Sequence, residues 1–311
     1  MSVDLQMTSG SLNSPASVAP AAYQERAVRF GANGALTGIL TVPARVRPGA
    51  PAVLFLTAGL LHRVGPNRLY VRLARELAAD GFTCVRFDLA GMGDSQPRTD
   101  GTPADEAAVI DTQQVMHAIE GATGARTFVL AGLCSGAVLS FHTACRDQRV
   151  AGMLLLNPQG FDHDATWNAH VLNLTQARRY LTTAATSSSN WKRALTGRID
   201  YRRALRVLLR RAGGAVSVRA ARQPVADRLL AGFDALKGRG VQTLAICCDG
   251  DSSVDYMTQI LGTDVADGFT DNALEVRVYA GTDHSFTLLA AQSRLSTDVR
   301  HWLQAHSWSA S

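Results

Sequence analysis

Six short segments built almost entirely from apolar residues recur along the chain, separated by stretches with helical spacing of apolar side chains. They lie at 52–58, 83–89, 127–133, 150–157, 243–248 and 274–280. A strand that is apolar at every position is typical of a parallel sheet covered by helices on both faces. The pattern therefore predicts an α/β fold with a mostly parallel, doubly wound sheet. Two further strands around a turn at 32–34 predict an antiparallel hairpin at one edge.

The stretch between the fourth and fifth apolar segments differs from the rest of the chain. Residues 159–237 have helical patterns near 167–183, 190–211 and 224–236, with no buried-strand pattern between them. We expect this region to be a helical cap inserted into a core formed by 24–158 and 238–311. Residues 1–23 are rich in Ser, Pro and Ala, which is typical of a flexible tail.

The sequence gives no sign of a membrane span or a secretory leader. Its longest apolar run covers 52–61, whereas a span needs roughly 20 residues. The N-terminus lacks a basic start followed by an apolar region. The five cysteines are odd in number and irregularly spaced, which favours reduced thiols and gives no zinc-ligand pattern. We therefore expect a cytoplasmic protein that needs no metal and no cofactor.

The strongest local signal is Gly132-Leu133-Cys134-Ser135-Gly136, which joins a predicted strand to a predicted helix. A nucleophile at such a sharp turn needs small residues two positions before and after it. Cys134 meets this requirement and is the predicted nucleophile. Ser135 is the alternative, but its flanking residues would be Leu133 and Ala137, and Leu133 would crowd the turn.

A nucleophile of this kind needs a base, and the base needs an acid that orients it. His284 follows the last apolar strand, where a loop can return it to the same edge of the sheet, and it is the predicted base. Asp251 lies just beyond strand 243–248 and is the predicted acid. Asp249 and Asp255 stay open as alternatives.

The order nucleophile, acid, histidine occurs in the α/β-hydrolase fold, which the chain resembles over residues 25–311. The resemblance rests on Thr57-Ala58-Gly59, on residues 87–95 and on the elbow. In this family the first motif is usually His-Gly, and the amide that follows helps to form the oxyanion hole. The resemblance thus implies that the N–H groups of Leu60 and Ser135 form this hole, a backbone role that Ala58 leaves intact.

The stretch from Ala58 to Ser95 is also similar to hydrolase-like proteins of natural-product and exopolysaccharide gene clusters. The cysteine-bearing members that it resembles are acyl- or aminoacyltransferases and thioesterases that act on carrier-protein thioesters. The resemblance implies acyl transfer through an acyl-cysteine, from a carrier-protein or CoA thioester to a thiol, an amine or water. Hydrolysis of esters, thioesters or lactones is the alternative, because the same elbow occurs in family members that open lactones. A catalytically silent binding protein is a third possibility.

The predicted cap concentrates positive charge. Twelve Lys and Arg residues and a single acid, Asp200, lie between Arg178 and Arg222, although the net charge of the whole chain is only +5. Four of these arginines share one helical face: Arg202, Arg203, Arg206 and Arg210. We expect this face to bind an acidic acyl or peptidyl carrier protein, which bears a phosphopantetheine arm, or the phosphates of CoA. A solvated basic helix is the alternative, and the scarcity of aromatic residues argues against nucleic acid.

Other residues near the predicted site are expected to have supporting roles. Asp94 and Ser95 are predicted to cap the turn after strand 83–89. Cys247 and Cys248 are predicted to pack in the core, and a redox role for Cys248 is the alternative. For His62 and Arg63 two interpretations stay open, a lining of the entrance and a plain surface position.

Overall fold

The structure, a computed structural model, describes residues 21–31, 34–162, 167–172, 174–175 and 224–308. Most of the predicted tail and the middle of the predicted cap, including every basic residue from Arg178 to Arg222, lie outside the described residues. The proposed docking face of Arg202, Arg203, Arg206 and Arg210 is among them, so it stays a prediction.

The described residues form a sheet of nine strands, in the spatial order β1-β2-β4-β3-β5-β6-β7-β9-β8. Their bounds are β1 (Tyr23–Phe30), β2 (Leu36–Pro43), β3 (Ala52–Leu56), β4 (Cys84–Phe87), β5 (Phe128–Leu133), β6 (Val150–Leu156), β7 (Gln242–Cys248), β8 (Phe269–Asp271) and β9 (Leu274–Tyr279). Strands β4, β3, β5, β6, β7 and β9 run parallel, whereas β1, β2 and β8 pair antiparallel with their neighbours. The predicted parallel sheet with an antiparallel hairpin at one edge is confirmed.

Helices cover both faces of this sheet. They are α1 (Leu69–Ala79), α2 (Ala104–Thr123), α3 (Ser135–Arg146), α4 (224–238), α5 (Ser252–Leu261) and α6 (Leu289–Ala305). Alternate residues of β3 enter opposite cores, because side chains alternate along a strand. Leu54 belongs to the buried cluster that includes residues of α2, α3, α4 and α5, while Phe55 belongs to the cluster that includes residues of α1 and α6. This two-sided burial explains why the parallel strands are apolar throughout.

The topology brings four loops together. Because β5, β6, β7 and β9 are parallel, the segments that follow them all begin at the same edge of the sheet. The loop after β3 reaches this edge as well. The predicted nucleophile, acid, base and oxyanion loop follow β5, β7, β9 and β3, so the fold places all four at one edge. No helix within the described ranges is long and apolar enough to cross a membrane.

Candidate active site

Cys134 occupies a strained turn between β5 and α3. Its backbone has φ 55° and ψ −115°, a conformation that non-glycine residues rarely adopt. A Cβ on Gly132 would lie 2.2 Å from the carbonyl carbon of Gly136, and a Cβ on Gly136 would lie 2.6 Å from the backbone oxygen of Leu56. Both positions therefore require glycine, which is the steric reason that the sequence motif has small residues there.

The turn delivers the cysteine to the start of a helix. Helix α3 begins at Ser135, and the backbone of Ser135 helps to lower the pKa of the Cys134 thiol. The carbonyl of Cys134 accepts from the N–H groups of Ala137 and Val138, at 3.0 and 3.2 Å, so the helical hydrogen bonds start at the cysteine itself. The positive end of the helix dipole favours an anionic sulfur at this position.

Asp251 is the carboxylate that contacts His284. The Nδ1–H of His284 donates to Asp251 Oδ2 at 2.8 Å. The other oxygen of Asp251 accepts from the N–H of Ser253 at 2.9 Å, which caps the start of α5 and fixes the carboxylate. Of the open alternatives, Asp255 instead accepts from the hydroxyl of Thr175 at 2.7 Å.

His284 also interacts with Cys134, and both contacts act on the pKa of the ring. The hydrogen bond with Asp251, followed by the interaction with Cys134, raises the pKa of His284 to about 10. Burial alone would raise the pKa of the Cys134 thiol, but hydrogen bonds with His284 and Gln159 outweigh it and lower the pKa below its ordinary value. The two opposite shifts favour a thiolate paired with an imidazolium.

The surroundings of three other thiols raise their pKa values, whereas those of Cys134 lower its pKa. Burial raises the pKa of Cys84 and of Cys248, that of Cys248 to about 12, and partial shielding of its sulfur from water raises that of Cys145. Cys145 is exposed on the surface, whereas Cys84 and Cys248 lie in the core, as predicted for Cys248. Cys134 is therefore set apart from these three by its electrostatics as well as by its backbone.

The loop after β3 lies against the elbow. The N–H of Gly59 donates to the Ser135 hydroxyl oxygen at 2.6 Å, and the N–H of Leu61 donates to the carbonyl of Ala58 at 3.0 Å. Leu60 stands between these contacts and is 97% exposed. The loop that carries Leu60 therefore touches Ser135, the first residue of α3, and the oxyanion role of both residues stays a prediction.

Arg63 anchors this loop to the interior. Its N–H donates to Asp88 Oδ1 at 2.6 Å, and its guanidinium binds the carboxylates of Asp88 and, at 2.6 Å, Asp94. Asp88 is fully buried. The Ser95 hydroxyl donates to the carbonyl of Asp88 at 2.7 Å and accepts from Thr37 N–H at 2.9 Å, joining this turn to β2. Arg63 is therefore part of a buried ion pair, which neither of the two interpretations of this residue anticipated.

Sequence reasoning missed two residues that follow β6. Asn157 is fully buried, and its side chain donates to the carbonyl of His284 at 2.9 Å and accepts from Cys248 N–H at 2.7 Å. The side-chain amide of Gln159 donates to Cys134 Sγ at 3.2 Å. The available signal was their position, since they are polar residues placed directly after a buried parallel strand.

Backbone strain is concentrated around this site. Within the described ranges, five non-glycine residues have positive φ: Asn67, Arg68, Cys134, Asn157 and Phe286. Each lies in a segment that follows β3, β5, β6 or β9, on the edge that carries the predicted triad. Strained residues persist only where the surrounding contacts hold them, and they cluster at functional sites. In the same described part of the chain, no group of three or more His, Cys, Asp and Glu side chains is arranged to hold a metal ion.

Comparison with solved structures finds the same architecture in several hydrolases. Proline iminopeptidase from Mycobacterium smegmatis is 17% identical, with a TM-score of 0.55, over 93% of this chain and 100% of that one. Dienelactone hydrolase from Anabaena variabilis is 12% identical, with a TM-score of 0.55, over 92% of this chain and 99% of that one. An esterase from Pyrococcus furiosus is 11% identical, with a TM-score of 0.56, over 92% of this chain and 94% of that one. At these identities the likeness establishes the fold alone.

A search among curated proteins finds none that matches the chain. Comparison with protein families does give a match. Residues 51–291, which span β3 to the start of α6 and include all three predicted triad residues, match the family described as the alpha/beta hydrolase fold. The match covers well over half of the 311 residues. The chain therefore belongs to the α/β-hydrolase fold family.

Proposed function

We propose that this protein transfers acyl groups through a covalent thioester on Cys134. The observation that carries the proposal is the chain of contacts from Cys134 to His284 and from His284 to Asp251, the latter at 2.8 Å. The cysteine in this series of contacts lies at a strained elbow and at a helix N-terminus. Both settings favour a reactive thiolate. The arrangement fits nucleophile, base and orienting acid.

The first half of the proposed reaction forms the acyl-enzyme. The Cys134 thiolate attacks the carbonyl carbon of an acyl thioester, and the electron pair of the C=O bond moves to oxygen. The N–H groups of Leu60 and Ser135 stabilise this oxyanion. When the intermediate collapses, the C–S bond to the leaving thiolate breaks, and the proton on His284 neutralises that thiolate. The products are acyl-Cys134, a free thiol and neutral His284.

The second half returns the acyl group to an acceptor. Neutral His284 removes a proton from an incoming thiol, amine or water, and the acceptor attacks the acyl-Cys134 carbonyl. Collapse expels the Cys134 thiolate beside the imidazolium, which restores the resting pair. Asp251 keeps the ring oriented and stabilises its charge in both halves. Because one thioester is exchanged for another of similar energy, acyl-Cys134 remains activated for transfer.

The chemistry of the nucleophile and the charge of the predicted cap indicate the class of acyl donor. A thioester carried by phosphopantetheine or by CoA has phosphates, and carrier proteins are acidic. The basic segment with Arg202, Arg203, Arg206 and Arg210 would attract either of them electrostatically.

Hydrolysis is the second candidate, and the structural neighbours favour it. They include an esterase, a dienelactone hydrolase and a proline iminopeptidase, each of which shares the fold with this chain. In this alternative the same acyl-Cys134 forms, but water is the acceptor. The two functions therefore share the first half-reaction and differ in the second.

Intact-protein mass spectrometry tests the shared step. The protein is mixed with acyl-CoA and acyl-N-acetylcysteamine thioesters of several chain lengths, and the reaction is stopped with acid. We expect one acyl group per chain on the unaltered protein and on Cys145→Ala, which removes the exposed thiol as a source of background labelling. Cys134→Ala should carry none. An adduct that persists in Cys134→Ala overturns the proposal.

Adding an acceptor to the isolated acyl-enzyme separates the two functions. Rapid release of the acyl group to N-acetylcysteamine or to a primary amine, faster than release to water, supports transfer. Release to water at the same rate with or without acceptor supports hydrolysis. Absence of any adduct on Cys134, together with absence of preferential labelling by iodoacetamide near pH 7, would instead support a silent binding protein.

A further inference from the structure

Gln159 lies between the predicted nucleophile and the predicted acid. It follows β6, which stands between β5 and β7 in the sheet. Its side-chain Nε2 is 3.2 Å from Cys134 Sγ, a normal distance for a hydrogen bond to sulfur. The side chain is half-buried, so the contact is partly shielded from water. Gln159 therefore touches the atom that would react.

A second residue contacts the oxygen end of the Gln159 amide. The hydroxyl of Ser252 donates to Gln159 Oε1. Ser252 is the first residue of α5 and the neighbour of Asp251, whose carboxylate caps that helix. With its oxygen engaged by Ser252, the amide presents its NH₂ group to Cys134. An NH₂ group only donates, so it stabilises a thiolate and offers nothing to a thiol proton.

Groups from three segments thus act on one sulfur atom. The Gln159 amide donates to this sulfur at 3.2 Å, and the ring of His284 and the backbone of Ser135 lower the pKa of the same thiol. His284 gives its proton to the leaving thiol during acylation, and it is neutral while the acyl-enzyme exists. Ser135 is also the predicted oxyanion donor, so its N–H has two tasks. Gln159 is the donor that has no other task in the proposed reaction.

We propose that Gln159 is a fourth catalytic residue, whose side-chain amide donates to Cys134 Sγ whenever that sulfur is an anion. It acts in the resting thiolate and again when the thiolate is expelled from the second tetrahedral intermediate. In that step the bond from the acyl carbon to Sγ breaks, the electron pair stays on sulfur, and the amide N–H stabilises the new charge. The catalytic role rests on the proposed function, whereas the contact with the thiolate does not.

The first test measures alkylation of Cys134 by iodoacetamide as a function of pH, in a Cys145→Ala background and without substrate. A hydrogen bond to a charged group is worth about a 10- to 100-fold change in equilibrium. We therefore expect Gln159→Leu to slow alkylation at pH 7 by about 10-fold or more. The defect should vanish at a pH high enough to ionise the thiol fully. Gln159→Glu adds a negative charge. It should displace the pH profile of Cys134 alkylation further toward high pH than Gln159→Leu does.

Two further variants distinguish a direct effect on the thiolate from a purely structural effect. Gln242→Leu removes a glutamine at the opposite end of β7, where its amide donates to the carbonyl of Gly240 at 3.2 Å, and it should leave the profile unchanged. Ser252→Ala frees the Gln159 amide to rotate and should displace the profile in the same direction as Gln159→Leu, but less. Thermal unfolding confirms that each variant is folded. Should Gln159→Leu fail to fold, Ser252→Ala and Gln159→Glu carry the test.

The second test measures release of the acyl group from isolated acyl-Cys134 to N-acetylcysteamine, and Gln159→Leu should slow it about 10-fold. A pH profile of Gln159→Leu that superimposes on that of the unaltered protein overturns the inference. A displaced profile with normal acyl release limits Gln159 to the resting thiolate and overturns its catalytic role. A displaced profile in a protein that forms no acyl adduct keeps the thiolate contact and rejects the proposed function.

Discussion

The side-chain amide of Asn157 donates to the main-chain carbonyl of His284 at 2.9 Å, which ties the end of β6 to the loop that carries the predicted base. The same side chain accepts from the N–H of Cys248 at 2.7 Å and from the hydroxyl of Ser253 at 3.2 Å, on either side of Asp251. One buried residue therefore fixes the base loop and the acid loop relative to each other.

Replacing Asn157 by Ala should lower both stability and activity. The change leaves the buried N–H of Cys248 and the carbonyl of His284 without their partner, and we expect a loss of about 2–4 kcal/mol in the free energy of unfolding. Turnover of a thioester should fall by more than the fraction unfolded explains. Urea unfolding and steady-state kinetics measure the two effects. Asn157→Gly is the matched variant, because it removes the same hydrogen bonds but relieves the positive φ of 43°. If Asn157→Ala behaves like the unaltered protein in both assays, this linking role is wrong.

Replacing Asp251 by Asn should move both the acidic and the alkaline limb of the pH profile of thioester turnover. The pKa of His284 is raised to about 10, first by Asp251, so the ring stays protonated up to that pH and can donate to a leaving thiol below it. Without the carboxylate this pKa falls toward its ordinary value, and the alkaline limb of thioester turnover moves to lower pH. The pKa of Cys134 is lowered by the imidazolium, so the acidic limb moves to higher pH. We expect a narrower profile and a fall in turnover of about 100-fold or more.

Rates measured between about pH 5 and pH 11 span both limbs and check this expectation. Asp255→Asn is the control, since that carboxylate binds Thr175 at 2.7 Å. It should retain the unaltered profile. An alkaline limb of Asp251→Asn that stays where the unaltered protein has it would contradict the role assigned to this carboxylate.

The parallel strands were predictable because burial on both faces makes them apolar at every position. Strand β8 was not, because its three residues, Phe269–Asp271, are too few to give a period. Helix α5 (Ser252–Leu261) also went unpredicted, since its start falls in the Asp-rich turn that supplies the predicted acid. These omissions are local and do not affect the predicted parallel sheet with its antiparallel hairpin at one edge.

The residues of the candidate site also fall into those that a local sequence pattern indicates and those that it does not. Cys134, His284 and a group of candidate acids that includes Asp251 could be proposed from local patterns, namely the glycine-flanked elbow and the ends of two apolar strands. Asn157 and Gln159 carry no local mark. Their importance comes from contacts between residues 127 and 25 positions apart, which exist only after the sheet is assembled. Arg63 was left open for the same reason, because its partner Asp88 sits at the end of another strand.

A methyl group at Gly132 should disrupt the elbow. A Cβ there would lie 2.2 Å from the carbonyl carbon of Gly136, so the backbone would have to move. We expect Gly132→Ala to lower the free energy of unfolding by about 2–3 kcal/mol and to abolish selective alkylation of Cys134. Gly121→Ala is the control, because that glycine lies inside α2 and an added methyl group would have open space around it, with no neighbour within 4 Å. It should stabilise the protein by about 0.5–1 kcal/mol. Equal stability of both variants in urea would contradict the steric account.

Removing the side chain of Arg63 should loosen the predicted oxyanion loop. Its guanidinium is the ion-pair partner of Asp88, which is fully buried, and removal of one partner leaves an uncompensated buried charge. We expect Arg63→Ala to cost about 3 kcal/mol in the free energy of unfolding. Thioester turnover should fall while alkylation of Cys134, which needs no oxyanion hole, changes little. Arg72→Ala removes a partly exposed pair with Glu76 within α1 and should cost less than about 1 kcal/mol. Parallel loss of alkylation and turnover in Arg63→Ala would show that this arginine supports the elbow itself rather than the loop after β3.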